Sequence, residues 1–457
     1  MQPGDAQFWF ASALLPEGWA GDVGVHVQDG VIAKVAVGVA PGPEDERHGL
    51  AIPGLCNLHS HAFQRGMAGL AEVRGPSSDS FWTWRELMYR FVGRLRPDDL
   101  ETIAALAYAE MLESGFTRVG EFHYLHHDEG GAPYAQLGEM SERIAAAAHE
   151  TGLGLTLLPV LYAQGGFGGA APGPRQGRFL NDIDRYARLL EAARAAVAPL
   201  DGALVGVAPH SLRAVTPEQL TLAIPLAQGG PAHIHIAEQV KEVEDCLAWS
   251  GQRPVAWLLD HAPVDARWCL VHATHMDDDE TARLATSGGV AGLCPITEAN
   301  LGDGIFPAEA FVAHGGRFGV GSDSNVLIDA AEELRLLEYG QRLSRLSRNA
   351  FSTASGASTG GALFHGALAG GAQALGVERV GLQVGASADI VTLDRNHAAL
   401  VAREGDALLD GWLFAARAGA VDTVWRAGRK VVQDGRHRHR GAIAERYRRT
   451  LERLLAN

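Results

Sequence analysis

Along the middle of the chain, short apolar runs alternate with longer stretches whose apolar positions recur every three or four residues, the periods of strand and helix. Eight runs predict strands: Leu55 to His61, Thr117 to Tyr124, Gly154 to Tyr162, Leu204 to Ser211, Ala232 to Glu238, Cys269 to His275, Gly289 to Pro295 and Arg317 to Asp323. Helical stretches fall between them, and this alternation from about Pro53 to Gly376 predicts a parallel α/β architecture. Eight repeats suit a (β/α)8 barrel, in which chemistry sits at the C-terminal ends of the strands. The stretch Phe81 to Leu95, rich in aromatics and arginine, predicts a helix capping the barrel mouth, and the Gly/Pro-rich stretch Gly165 to Gly177 reads as a mobile loop.

The two ends have a different pattern. From Phe8 to about Ile52 the chain runs in short strand-like pieces, with Asp29-Gly30 as a hairpin turn. Similar pieces return at Gly381 to Leu393 and Val421 to Val432, closed by Asp434-Gly435. Both ends together predict a small β-sandwich, so the expected organisation is 1–52 and 381–457 for that unit and 53–380 for the barrel. A last helix, about Gly441 to Leu455, carries leucines and a tyrosine on one face among arginines, and reads as a packing or subunit-contact helix.

At 457 residues with 47% hydrophobic content, the chain can bury a large core. A net charge of −15 argues against nucleic acid or an anionic membrane as partner. No stretch is long and apolar enough to span a bilayer, and no basic-then-apolar leader is visible at the N-terminus. Cys56, Cys246, Cys269 and Cys294 show no CxxC spacing, so reduced thiols and a cytoplasmic location are expected.

Candidate chemistry collects at the predicted strand ends. His59 and His61, two residues apart, project from one face of the first strand and are able to hold one metal ion, although a strand end can also carry two ordinary polar residues. His235 ends strand five as a third ligand, with Glu238 three residues beyond it placed to carry a proton. His233, one layer deeper, reads as a core histidine. His272 lies near the end of strand six, where it would polarise the attacked group or assist deprotonation, and Asp323 ends strand eight as a ligand and proton acceptor. Three or four N/O ligands with one open position are what an ion that activates water requires. By contrast, His123, His126 and His127 read as loop histidines, and the Arg436 to Arg440 run as a solvated turn.

An HxH on strand one, histidines on strands five and six and an aspartate on strand eight resemble the amidohydrolase superfamily. Binuclear members carry a bridging lysine on strand four. Leu204 to Leu212 has none, so the resemblance implies one divalent metal, zinc or alternatively iron, and the deaminase branch. Within it, Asn57-Leu-His-Ser-His-Ala-Phe-Gln64, Ala208-Pro-His-Ser-Leu-Arg213, His235-Ile-Ala-Glu-Gln239 and Gly321-Ser-Asp-Ser-Asn325 are similar to the formimidoylglutamate deiminases of histidine degradation. That likeness implies hydrolysis of N-formimino-L-glutamate to N-formyl-L-glutamate and ammonia, and a homodimer. A substrate with two carboxylates calls for arginine forks. Arg85 in the cap helix and Arg213 after strand four are the candidates, with Gln64, Tyr124 and His210 as further polar contacts. Surface pairing is the alternative for the two arginines, whereas Gln64, Tyr124 and His210 would serve equally well as structural groups. The nearest rivals are mononuclear deaminases of guanine, cytosine or an adenosine derivative.

Overall fold

The computed structural model describes residues 5–74, 81–352, 354–417 and 419–456; the first four residues of the expected N-terminal unit lie outside these. Nine strand segments build the barrel: β5 (Leu55–Ser60), β6 (Phe116–His123), β7 (Gly154–Leu161), β8 (Leu204–Val205), β9 (Ala208–Pro209), β10 (Ala232–Ile236), β11 (Trp268–His272), β12 (Val290–Leu293) and β13 (Arg317–Val320). The short β8 and β9 form one broken stave, so there are eight. Their pairing is parallel throughout, β5 to β9 on one side and β10 to β13 on the other. Single bridges join the two sides into a ring: Val207 with Ala232, Ser211 with His235, and Ser60 with Asp323. Apart from the broken stave and Arg317, these strands are buried along their length, as expected where helices cover the outside and side chains fill the inside.

Several staves stop earlier than their apolar runs suggest. Ala237, His272, Ala273, Asp323 and Asn325 all adopt positive φ, which turns the chain out of the ladder where the polar residues begin. Close approach of backbones also matters. At Gly321 a Cβ would lie 2.7 Å from the His59 amide nitrogen, so only glycine lets the eighth stave run against the first and bring Asp323 to the histidine pair.

The terminal strands are β1 (Ala6–Leu15), β2 (Gly18–Gln28), β3 (Val31–Ala36), β4 (Glu46–Pro53), β14 (Ile390–Leu393), β15 (Val421–Arg426), β16 (Arg429–Gln433) and β17 (Arg436–His437). They pair as one path in the order β17-β16-β15-β14-β4-β1-β2-β3. Phe8 of β1 meets Trp425 of β15 at 5.1 Å between ring centres, whereas strands three apart in a flat sheet lie about 14 Å apart. The sheet is therefore curled into two facing layers joined edge to edge. The Ile32 N–H donates to Ala386 at 2.9 Å, which brings the β3 edge back toward β14. Phe8, Phe10, Val23, Val25, Ile390 and Trp425 fill the separate core that results.

The cap stretch forms helix α1 (Phe81–Val92), followed by α2 (Pro97–Ser114). The terminal helix Arg440–Leu455 packs on α2, and the Tyr447 hydroxyl donates to the Arg65 carbonyl at 3.2 Å. Two sequence expectations are corrected. His123, His126 and His127 are buried rather than solvated, because the turn after β6 is roofed by Arg178 to Asn181; His126 donates to the Val160 carbonyl at 3.0 Å and His127 to the Leu180 carbonyl at 2.9 Å. The Arg436 to Arg440 run is likewise anchored: buried His437 donates to the Thr151 carbonyl at 2.9 Å, and Arg440 pairs with Glu110 at 3.0 Å. Within the Gly/Pro-rich loop, Gln176 donates to the Tyr162 hydroxyl at 2.7 Å and Phe167 stacks on Trp249, so this loop is tied at both ends.

Candidate active site

His59, His61, His235 and Asp323 converge, each offering one donor atom, with these atoms all within 4.8 Å of one another. His61 Nε2 lies 3.2 Å and His59 Nε2 3.5 Å from Asp323 Oδ1. The backbone sets this geometry. Asp323 accepts the His61 amide at its carbonyl and donates its own amide to the His59 carbonyl, both at 2.9 Å. Asn325 then ties the corner through its side-chain amide to Ser60 Oγ and to the carbonyls of His61 and Asp323. Ring orientations are fixed from behind: His61 Nδ1–H donates to the Phe122 carbonyl at 2.9 Å, and His235 Nδ1–H to the His210 carbonyl at 3.1 Å, leaving both Nε2 lone pairs inward.

Electrostatics match a cation site. Burial holds the three imidazoles below their ordinary pKa, His59 down to about 3, so they are neutral donors at pH 7. For Asp323, burial alone would favour the neutral acid, but hydrogen bonding to His59 and the nearby His61 and His272 outweigh it and keep the carboxylate ionised. His235 Nε2 and His59 Nε2 face each other at 3.0 Å, an approach that needs a proton or a cation between them. Three neutral nitrogens and one carboxylate aimed at one point fit a divalent ion.

His272 and Glu238 stand beside this cluster. His272 Nε2 is 3.8 Å from Asp323 Oδ2 and 3.9 Å from Glu238 Oε1. Burial opposes charge on His272, but the carboxylates of Glu238, Glu298 and Asp323 outweigh it and push its pKa up to about 10. Glu238 is pushed the other way from a normal carboxylate, up to about 7, by burial, with the charges of His272 and Arg213 resisting. A carboxyl group poised near neutrality beside a cationic imidazole suits proton transfer.

A cavity opens over these groups. His61, His235, Glu238, His272 and Asp323 line its floor, and Gln64, Arg85, Tyr124, His210 and Arg213 line it higher up. Gln64 donates to the Tyr124 hydroxyl at 2.8 Å, and His210 hydrogen-bonds Ser211 at 3.1 Å. Arg213 is 4.0 Å from the buried Glu242, and Arg85 lies 5.7 Å from the ring centre of Tyr89. His233 is set apart, buried and donating to the Ala374 carbonyl at 2.7 Å. Every sequence-named site residue except His59, which sits just beneath as a donor, therefore borders the cavity.

Sequence reasoning passed over Glu242, Glu298 and the aromatic walls Trp84, Tyr89, Tyr162 and Phe179. Glu242 could have been found as the acid four residues beyond Glu238, in the first turn of the helix Val240–Ser250, and Glu298 from its place just past the seventh strand run. Trp84 and Tyr89 were inside the expected cap helix.

The sequence signature of the amidohydrolase family matches residues 50–431. The chain belongs to the amidohydrolase family. A second signature, described as the formimidoylglutamate deiminase HutF N-terminal domain, matches residues 7–49 of this amidohydrolase. It is 53% identical over 447 residues to the formimidoylglutamate deiminase of Pseudomonas aeruginosa, covering 97% of this chain and 98% of that protein. Among solved structures, an amidohydrolase from Brucella melitensis is 56% identical, with a TM-score of 0.96 over 99% of this chain and all 100% of that one. A zinc-bound adenosine deaminase from Xanthomonas campestris shares the fold at a TM-score of 0.80 and 22% identity, each chain covered to 99%. Family and donor set together support a divalent metal in this amidohydrolase, and the four-residue cluster is able to hold one. Among the described residues no helix is long and apolar enough to cross a membrane.

Proposed function

We propose that this amidohydrolase hydrolyses N-formimino-L-glutamate to N-formyl-L-glutamate and ammonia. One observation carries the reading: Arg85 and Arg213 line the same cavity as Glu238, His272 and Asp323, so carboxylate-binding forks and proton-transfer groups face one space. The likeness to the Pseudomonas aeruginosa deiminase over nearly the whole of both chains supports the choice of substrate.

His59, His61, His235 and Asp323 would hold one divalent ion, for which zinc is the proposed identity and iron the alternative; the ion supplies Lewis acidity and lowers the pKa of a water. Arg85 and Arg213 bind the two carboxylates, with Gln64, Tyr124 and His210 completing the grip, so the formimino carbon is held over the floor. Asp323 accepts the proton released as water attacks that carbon; His272, the other candidate for this role, is held in its charged form by the carboxylates around it and has no lone pair free to take one. Glu238 gives a proton to the imine nitrogen; as the C–N bond breaks, the proton held by Asp323 passes to that nitrogen and the hydroxyl proton of the adduct passes to Glu238, so ammonia leaves and both carboxyl groups return to their starting forms. His272 steadies the charge at the tetrahedral carbon. Atoms balance: water adds, and ammonia departs.

Residues 53–380 are assigned as the catalytic unit, with 1–52 and 381–457 forming the β unit that packs on it, and the protein as a cytoplasmic homodimer. Leu343 and Leu346, exposed to 78% and 92% at the end of the helix Ala330–Arg345, offer an apolar contact for the second copy. Ammonia release measured with N-formimino-L-glutamate beside guanine, cytosine and adenosine tests the assignment, together with metal analysis and sedimentation. Turnover confined to the linear substrate, with one metal per chain, is expected; turnover of a base in its place would overturn the reading.

A further inference from the structure

We propose that Glu298 is a positioning residue for this reaction, its carboxylate locking the His272 ring with Nε2 turned toward Glu238 and Asp323. The inference rests on the deiminase reading in that His272 belongs to its machinery.

The ring partners differ in kind across the site. His61 and His235 give their Nδ1–H to backbone carbonyls. His272 instead gives Nδ1–H to Glu298 Oε1, at 3.2 Å. Glu298 is itself held fast. The same oxygen accepts the Cys294 amide at 2.9 Å, and the Glu298 amide returns to the Cys294 carbonyl at 2.9 Å. On either side, the Ile296 amide donates to Glu333 Oε2 at 3.0 Å and Thr297 Oγ1 to the Ser322 carbonyl at 3.3 Å. The short helix that carries Glu298, Pro295–Leu301, is therefore pinned to the helix Ala330–Arg345 and to the loop that carries Asp323.

An imidazole has two nearly equivalent settings about χ2, related by a half turn. In the observed one Nε2 sits 3.9 Å from Glu238 and 3.8 Å from Asp323. In the other a ring carbon would face those carboxylates, and no proton could pass. The Glu298 contact selects the observed setting. Glu298 is absent from the cavity wall, so its effect on substrate is indirect.

The test uses metal-loaded, 15N-histidine-labelled protein as wild type, Glu298→Gln and Glu298→Ala, with His272→Asn to assign the His272 signals. For Glu298→Ala, kcat should fall roughly 10–100-fold, the size found when a group behind a working histidine is removed. KM should stay within about twofold and metal content at the wild-type level. The hydrogen-bonded Nδ1–H signal of His272 should disappear. Glu298→Gln, isosteric and still an acceptor, should keep a bonded but upfield-shifted signal and lose about tenfold or less in kcat. It carries the test if the alanine variant does not fold. Wild-type kcat in Glu298→Ala at full metal occupancy, or an unmoved His272 signal in the glutamine variant, would overturn the proposal. Wild-type protein that releases no ammonia from N-formimino-L-glutamate would sink the substrate assignment alone, since the spectra need no substrate.

Discussion

At the floor of the cavity, donors come from the C-terminal ends of strands and the residues just past them, and main-chain hydrogen bonds at 2.9 Å tie the Asp323 corner to His59 and His61. At the mouth, the groups assigned to substrate come from α1 and from the segments after β5, β6 and β9, and they are held mainly by other side chains, as Gln64 is by Tyr124 and Arg213 by Glu242. The floor spends strain on its shape, with Ala237, His272, Asp323 and Asn325 all at positive φ, conformations that persist only where surrounding structure over-determines them. The mouth shows no such cluster among its assigned groups. Chemistry is thereby fixed by backbone, which substitution hardly alters. Selectivity is left to side chains that can be exchanged singly, which is how one barrel serves many substrates.

The contrast can be broken most completely at Asp323. Asp323→Asn removes the negative donor and a proton acceptor together, so bound metal should drop and turnover fall to roughly one part in 10⁴ or less; elemental analysis beside an ammonia assay checks this. Retained metal and activity would mean that the floor is not organised around Asp323. Glu238→Gln should keep the metal while lowering kcat roughly 10²–10⁴-fold, separating proton delivery from ion binding. At the mouth, Arg213→Met should leave kcat nearly intact and raise KM about 10–150-fold, the equivalent of losing roughly 1.5–3 kcal/mol from a hydrogen bond to a charged group. An equal loss in kcat would show that mouth and floor are not separable. The gentlest probe is pH. Burial pushes the Glu238 carboxyl up to about 7, so its proton is present below that pH and lost above it. kcat/KM should decline on the alkaline side through about pH 7, and a pH profile in which Glu238→Gln keeps that limb would assign it to another group.

Much of the floor was legible because a strand's period of two is strict: His59 and His61 must share a face whatever surrounds them, and motifs at strand ends must meet if the strands close a ring. The mouth was legible only through chemistry, since two arginines far apart in sequence were matched to two expected carboxylates. Glu298 and Glu242 escaped because their roles depend on which neighbour a helix or turn presents to them. His123, His126 and His127 were misread for a related reason: a histidine cluster after a strand looks solvated until the roof over it, Arg178 to Asn181, is known.

The order of apolar runs and the polar residues at their ends determined the eight-stave barrel, the metal donors and the β-rich termini, because periodicity and close-range geometry are properties of the chain alone. Tertiary structure decided the rest: that the terminal strands make one curled sheet, that Gly321 admits His59 beside it, and that a glutamate from the short helix after β12 faces His272. Those contacts join residues distant in sequence, and their energies depend on burial and distance, which exist only once the chain has folded.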